Sequence, residues 1–289
     1  MFRKVILFFL VLPWILFSCG SNESVNKIDE SDLPKIDFKI KRYGKALFEL
    51  DTNNLSNELK SIGEEYRIFL GDDLDNEKNI HQIYDFVSDT ALIRIYKKSI
   101  EVYPDDEFIN NEIGQAFRHY KYYYPNNELP LTYSYISGLA YENPVLIKDN
   151  IMIIALDMYL GADFNAYKTL GLPMYKIRWM QPNSLKVDVM KEVYNTNISI
   201  ISPQKTLLDR MISGAKVLYF LDKMLADCPD ELKIYYTTEQ LKWAFENEKK
   251  VWAFLIENDL LFTRNYQLQS KLISDAPFTT GFSRESPSR

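Results

Sequence analysis

The side chains in this sequence that could do chemistry are few in kind. Two histidines, His81 and His119, and two cysteines, Cys19 and Cys228, accompany 40 acidic residues. Zinc hydrolysis commonly uses two histidines one helical turn apart with a glutamate between them, so that the imidazoles bind the metal and the carboxylate takes a proton from water. That spacing is absent. Both histidines fall within helical patterns, where a surface or hydrogen-bonded structural role is expected. No Gly-x-Ser-x-Gly turn exposes a serine nucleophile, and the glycines are too scattered to form a phosphate-cradling loop. Asp72, Asp73, Asp75 and Glu77 form an acidic cluster without the glycine and distal bidentate glutamate of a calcium loop, so a solvated turn between helices is expected. Asp157 stands apart, as the one charged residue in the apolar run Ile151 to Leu160. A carboxylate taken out of water needs partners, so Asp157 is expected to accept hydrogen bonds from backbone amides or a basic side chain and to pin a turn. With Asp163, just past Gly161, and Tyr159, it forms the candidate structural or binding cleft. No catalytic residue, metal ligand or cofactor is assigned.

The elements that would position these residues follow from periodicity. Residues 55 to 125 read as a run of helices. Leu55, Leu59, Ile62, Tyr66 and Phe69 share one face, and Gly71 stands at a C-terminal cap. Ile80, Ile83, Tyr84 and Val87 repeat the spacing, and Phe108 to Tyr124 make another amphipathic face that stops at Pro125. After Pro130 the pattern changes: Leu131 to Ser137 alternates and Ile151 to Leu160 is dense in β-branched and apolar residues, which predicts two strands. Helical spacing returns from Asn183 to Tyr194 and from Pro203 to Leu225, where Leu207, Leu208, Met211, Ala215, Leu218, Leu221 and Leu225 line one face behind a Ser202 cap. Thr237 to Gln240 has capping-box spacing and opens a further helix through Leu241, Phe245, Trp252 and Leu255. The fold class is α+β, mostly helical with a small central mixed or antiparallel sheet. A single domain is expected over 35–289, helical over about 35–128, with the sheet and further helices over about 129–289.

The N-terminus carries a different signal. Arg3 and Lys4 precede an apolar run from Val5 to Phe17 that is too short to span a bilayer comfortably, since a spanning helix needs about 20 residues. It ends in Leu16-Phe17-Ser18-Cys19-Gly20, which resembles the lipobox at which bacterial lipoproteins are cut and acylated, palmitate being one such chain. Residues 1–18 are therefore read as a signal peptide, Cys19 as the lipidation site and 19–34 as a polar tether. Glu23 stands alone after the cysteine rather than in an acidic export cluster, which favours a periplasm-facing protein, most simply on the outer membrane. With Cys19 acylated, Cys228 has no disulfide partner in the chain. Without Arg3 and Lys4 the balance is 32 basic against 40 acidic residues. Nucleic-acid binding by counterion release is not expected of such a domain.

The segment Ile154 to Gly161 resembles a signature of the GldB family of gliding-motility lipoproteins. Further matches are Met211-Ile212 with Gly214, Lys216 and Leu218 to Leu221; Tyr236-Thr237 with Glu239 to Leu241, Trp243, Asn247-Glu248 and Trp252; and Ala276 to Phe282. Members typically continue past the Pro287-Ser288-Arg289 region, often with glycine at its middle position. The resemblance implies a membrane-attached component of gliding motility or the associated secretion machinery, without enzymatic activity. Its partners would be the membrane, through lipid on Cys19, and other envelope proteins. Members also look distantly similar to predicted zinc peptidases. The helices corresponding to the metal-binding ones, 183 to 196 and 203 to 225, hold no histidine, and Ser213 stands before Gly214 where glutamate is expected. That kinship implies a degenerate zincin-like scaffold. Two other classes stay open: an envelope hydrolase, and a peptide- or glycan-binding lipoprotein using an aromatic sheet edge near Tyr133, Tyr135 and Tyr159.

Overall fold

A computed structural model of the chain describes residues 28–199 and 205–273. Cys19 and the signal segment, Ser202 and Pro203, and the Ala276 to Phe282 segment lie outside the described residues. By contact the chain divides into Met1–Leu33 and Pro34–Arg289. In the first unit a 3-10 turn, Glu30–Asp32, is closed by the Asp29 carboxylate, which accepts from the Ser31 N–H at 2.8 Å.

The second unit opens with β1 (Lys41–Arg42) and then six helices: α1 (Tyr43–Phe48), α2 (Leu55–Gly63), α3 (Arg67–Leu70), α4 (Glu77–Ser88), α5 (Thr90–Val102) and α6 (Glu107–Tyr123). Their stops and starts have local causes. Gly71 closes α3 at φ 71°, where a side chain would be strained. Asp89 opens α5 by accepting from the Ala91 and Leu92 N–H groups at 2.7 and 3.0 Å. The acidic cluster between α3 and α4 is the expected solvated turn, with Asp72 paired to Arg67 and Asp75 to Lys60.

Three more strands follow: β2 (Leu131–Tyr135), β3 (Val145–Lys148) and β4 (Ile151–Ala155). The sheet order is β1-β2-β4-β3. β2 is parallel to both β1 and β4, while β3 and β4 are antiparallel, so the sheet is mixed. Asp149 and Asn150, at φ 50° and 59°, close the β3–β4 hairpin in the left-handed turn that such two-residue loops favour. Both faces of the sheet are covered, which is why β4 reads as a continuous apolar run. Met152 and Ile154 join the larger core with Ile109, Ile113, Phe117 and Tyr120 of α6. Ile151, Ile153 and Tyr133 meet the smaller core built on Leu47, Leu55, Leu59 and Val87. Gly44 lets α1 lie on this sheet, because a Cβ there would stand 3.1 Å from the Ile136 backbone nitrogen.

Two expectations are corrected here. The second strand ends at Ala155, and Leu156–Met158 form a 3-10 turn, so Asp157 is not a strand residue. β2 is an inner strand, Tyr133 and Tyr159 are buried and Tyr135 is half-buried, so among the described residues these three form no aromatic sheet edge.

The chain continues through α7 (Asn165–Thr169), α8 (Met174–Ile177), α9 (Leu185–Val193), α10 (Leu207–Met224), α11 (Asp230–Ile234), α12 (Thr238–Glu257) and α13 (Tyr266–Ile273). α9 passes into a π-helical turn, Tyr194–Ile198. The described start of α10 is capped by Thr206 in a reciprocal box with Asp209. The Thr237–Gln240 capping box opens α12 as its spacing predicts. Among the described residues no helix is long and apolar enough to cross a membrane.

Candidate functional site

Asp157 is fully buried. One carboxylate oxygen accepts from the Ser137 N–H at 2.9 Å; the other accepts from the Ser137 hydroxyl at 3.0 Å and the Leu139 N–H at 2.7 Å. These donors belong to the loop after β2, where Gly138 and Leu139 take φ of 73° and 69°. The chain leaves the strand at Ala155 so that this carboxylate can reach the loop. Burial pushes the Asp157 carboxyl above the usual range, against the opposite pull of the three donors. The Tyr167 hydroxyl binds the same turn, donating to the Asp157 carbonyl at 2.7 Å and accepting from the Leu160 N–H at 3.0 Å. The Asp157 carboxylate thus ties this turn to the loop after β2 through three donors. Asp163 is exposed in the turn before α7 and takes no part in this network.

Tyr159 leads elsewhere. Its carbonyl accepts from the Tyr103 hydroxyl at 2.9 Å, while its own hydroxyl donates to Asp188 of α9 at 2.9 Å. The other Asp188 oxygen accepts from the Tyr235 hydroxyl. Burial, reinforced by the Asp188 charge, pushes both phenols well above their ordinary value, so they remain protonated donors. Tyr235 sits just past α11 at φ 56°, a costly conformation for a bulky residue. Three contacts hold it: the Asp188 bond, stacking on Trp179 with ring centres 5.4 Å apart, and Lys191, whose Nζ lies 3.7 Å from the ring centre.

These residues form one wall of a groove of about 1740 Å³ between α9, α10 and α11. Seven lysine or arginine side chains line it, and Asp188 is the one carboxylate among its lining residues. Several cations lie over tyrosine rings: Lys191 over Tyr235, Lys176 over Tyr141 at 5.5 Å, and Lys223 over Tyr219 at 5.3 Å. Lys233 is clasped by acids, with Asp222 at 2.7 Å and Asp230 at 3.2 Å. The floor on α10 is apolar, with Ile212, Leu218 and Tyr219 exposed. Ser213 lines the same groove, its hydroxyl donating to the Asp209 carbonyl at 2.9 Å.

Of the sequence-predicted cleft, only Tyr159 belongs to this groove; Asp157 and Asp163 are not among its lining residues. Asp188, Lys191 and Tyr235 escape sequence reasoning. Asp188 had a signal, as a charge amid Leu185, Val187, Val189, Met190 and Val193. Tyr235 had none, since its left-handed backbone is imposed by contacts distant in sequence. His119 is buried with Nδ1 3.0 Å from the Gln115 carbonyl, and His81 is exposed beside Asp85, so neither reaches the groove. Among the described residues no three His, Cys, Asp or Glu side chains are grouped to hold a metal ion.

The fold and groove define a helix-rich α+β protein built around a small mixed sheet, with a cationic, aromatic surface cleft. The family model described as gliding motility protein GldB matches residues 23–289, and the chain belongs to that family. The family is one of gliding-motility lipoproteins, associated with the cell envelope. Neither curated proteins nor solved structures gave a significant match.

Proposed function

We propose that this chain is a non-catalytic lipoprotein of the gliding machinery, held to the envelope membrane by lipid on Cys19 and acting by docking other envelope proteins. The observation that carries the reading is the family match over residues 23–289. Support for docking over hydrolysis comes from the buried polar groups. Asp157 is engaged by three donors, and Asp188 is shared by two tyrosines. A general base must reach its substrate, whereas Asp157 is fully buried and Asp188 is held between two phenol hydroxyls. The helices α9 and α10 carry no histidine, which fits a peptidase-like scaffold without its metal ligands.

The test has two arms. Deleting the chain in a gliding host is expected to stop surface spreading, and re-expression is expected to restore it; normal spreading in the deletion strain overturns the motility role. The purified protein is expected to leave a mixed peptide library uncut, with or without added zinc. Cleavage lost on chelation overturns the non-catalytic reading.

A further inference from the structure

We propose that the groove between α9, α10 and α11 binds an acidic, apolar-rich peptide segment of a partner protein; the proposal rests on the reading that this chain acts by docking. Two features set the ligand's chemistry. The chain carries a formal net charge of −6, yet seven of the eight charged residues lining this groove are basic, with Lys233 compensated by its ion pairs to Asp222 and Asp230. Such a concentration of one sign in a concave site, against the sign of the molecule, focuses a positive field on the groove and draws in anions.

The second feature is apolar. The face of α10 that carries Met211, Ala215 and Leu218 has the spacing of a buried stripe, but Ala215 is exposed and Leu218 is 37% exposed. Ile212 and Tyr219 beside it are 47% and 66% exposed. A ligand that satisfies both features carries carboxylates for Lys216 and Lys223 and apolar side chains for Leu218 and Ile212. An acidic peptide does so. An anionic glycan would meet the charge but leave the exposed aliphatic side chains of Ile212 and Leu218 without apolar partners. The volume of about 1740 Å³ exceeds the ~300–1,000 Å³ of ordinary small-molecule pockets and suits a chain segment.

The test uses the full chain in detergent and a fluorescein-labelled peptide of alternating aspartate and leucine, followed by fluorescence anisotropy. Binding is expected for this peptide, to weaken as salt shortens the Debye length, and to be absent for the lysine–leucine counterpart. The double variant K216E/K223E is expected to lose affinity by about tenfold or more, and Leu218→Ala several-fold, with unchanged circular dichroism and melting. A second pair, Lys249→Glu with Lys250→Glu on the exposed side of α12, controls for bulk charge and is expected to bind as wild type does. The proposal is overturned by no binding, by equal binding to K216E/K223E, by equal loss in the control pair, by stronger competition from oligogalacturonate than from unlabelled peptide, or by a groove-dependent dimer that excludes the peptide. If binding fails while the deletion strain still loses gliding, only the groove's occupant is wrong. If binding holds while the deletion strain glides normally, the motility role falls instead.

Discussion

At the scale of single residues, Asp157 shows how one buried carboxylate can hold a loop in an otherwise costly conformation. Its oxygens take the Ser137 and Leu139 N–H groups and the Ser137 hydroxyl, holding Leu139 in a left-handed conformation that an L side chain adopts only under compulsion. Asp157→Ala removes the acceptor and leaves buried donors unpaired, though the strained loop can relax toward water. A destabilisation of about 1–3 kcal/mol is expected from urea denaturation, and an unchanged midpoint would show that the network contributes nothing. The pH dependence has a definite sign. Because burial raises the folded carboxyl above 3.8, the native state keeps its proton to higher pH than the unfolded chain. The residue's contribution is therefore fully present below 3.8 and declines as pH rises through the folded value. The stability gap between wild type and Asp157→Ala is expected to narrow across that window; a widening gap would mean that the three donors outweigh burial.

At the scale of elements, α10 separates what a sequence says from what it omits. The period of Leu207, Leu208, Met211, Ala215, Leu218, Leu221 and Leu225 correctly placed these residues on one helical face. Only the ends of that face are covered: Leu207, Leu221 and Leu225 are buried, while Ala215 and Leu218 are exposed. Periodicity identifies a shared face but not the element that packs on it. Leu221→Ala is accordingly expected to cost about 2–4 kcal/mol, and Leu218→Ala less than about 0.5 kcal/mol, both read from denaturation midpoints. Equal costs would mean that the middle of α10 is covered in the isolated protein. Caps were the most legible features, because the Thr237–Gln240 box and Gly71 act within a few residues. β1, two residues long, carries no pattern, since its identity comes from pairing with Tyr133 and Ser134. β3 was legible in principle. Asp149-Asn150 between two apolar runs is a hairpin signal, but Val145–Lys148 is too short to show alternation on its own. Asp157 stands out in the sequence as a charge in an apolar run, yet the end of its strand was not visible, because the loop that its carboxylate binds lies twenty residues earlier.

At the scale of the whole molecule, two attachments to a membrane are physically distinguishable. Among the described residues no helix can span a bilayer; the proposed lipid on Cys19 and the charge of the groove are the two attachments to be told apart. Each buried methylene contributes about 0.8 kcal/mol, a single acyl chain holds only marginally, and two or more give stable anchoring. The basic groove offers an electrostatic route, worth about 1 kcal/mol for each lysine or arginine close to an anionic surface, but one that salt screens within a Debye length. The two routes therefore respond to opposite manipulations. Wild-type protein is expected to stay in the membrane pellet through a high-salt wash and to incorporate a metabolic fatty-acid label. Cys19→Ala is expected to lose the label and appear in the aqueous fraction at ordinary salt, because the remaining charge on an acidic protein is too weak to hold it. Labelling that persists in the variant would remove Cys19 as the acylated residue. An unlabelled variant that pellets until salt releases it would assign anchoring to the groove, and with it the membrane rather than an acidic peptide as the groove's counterpart.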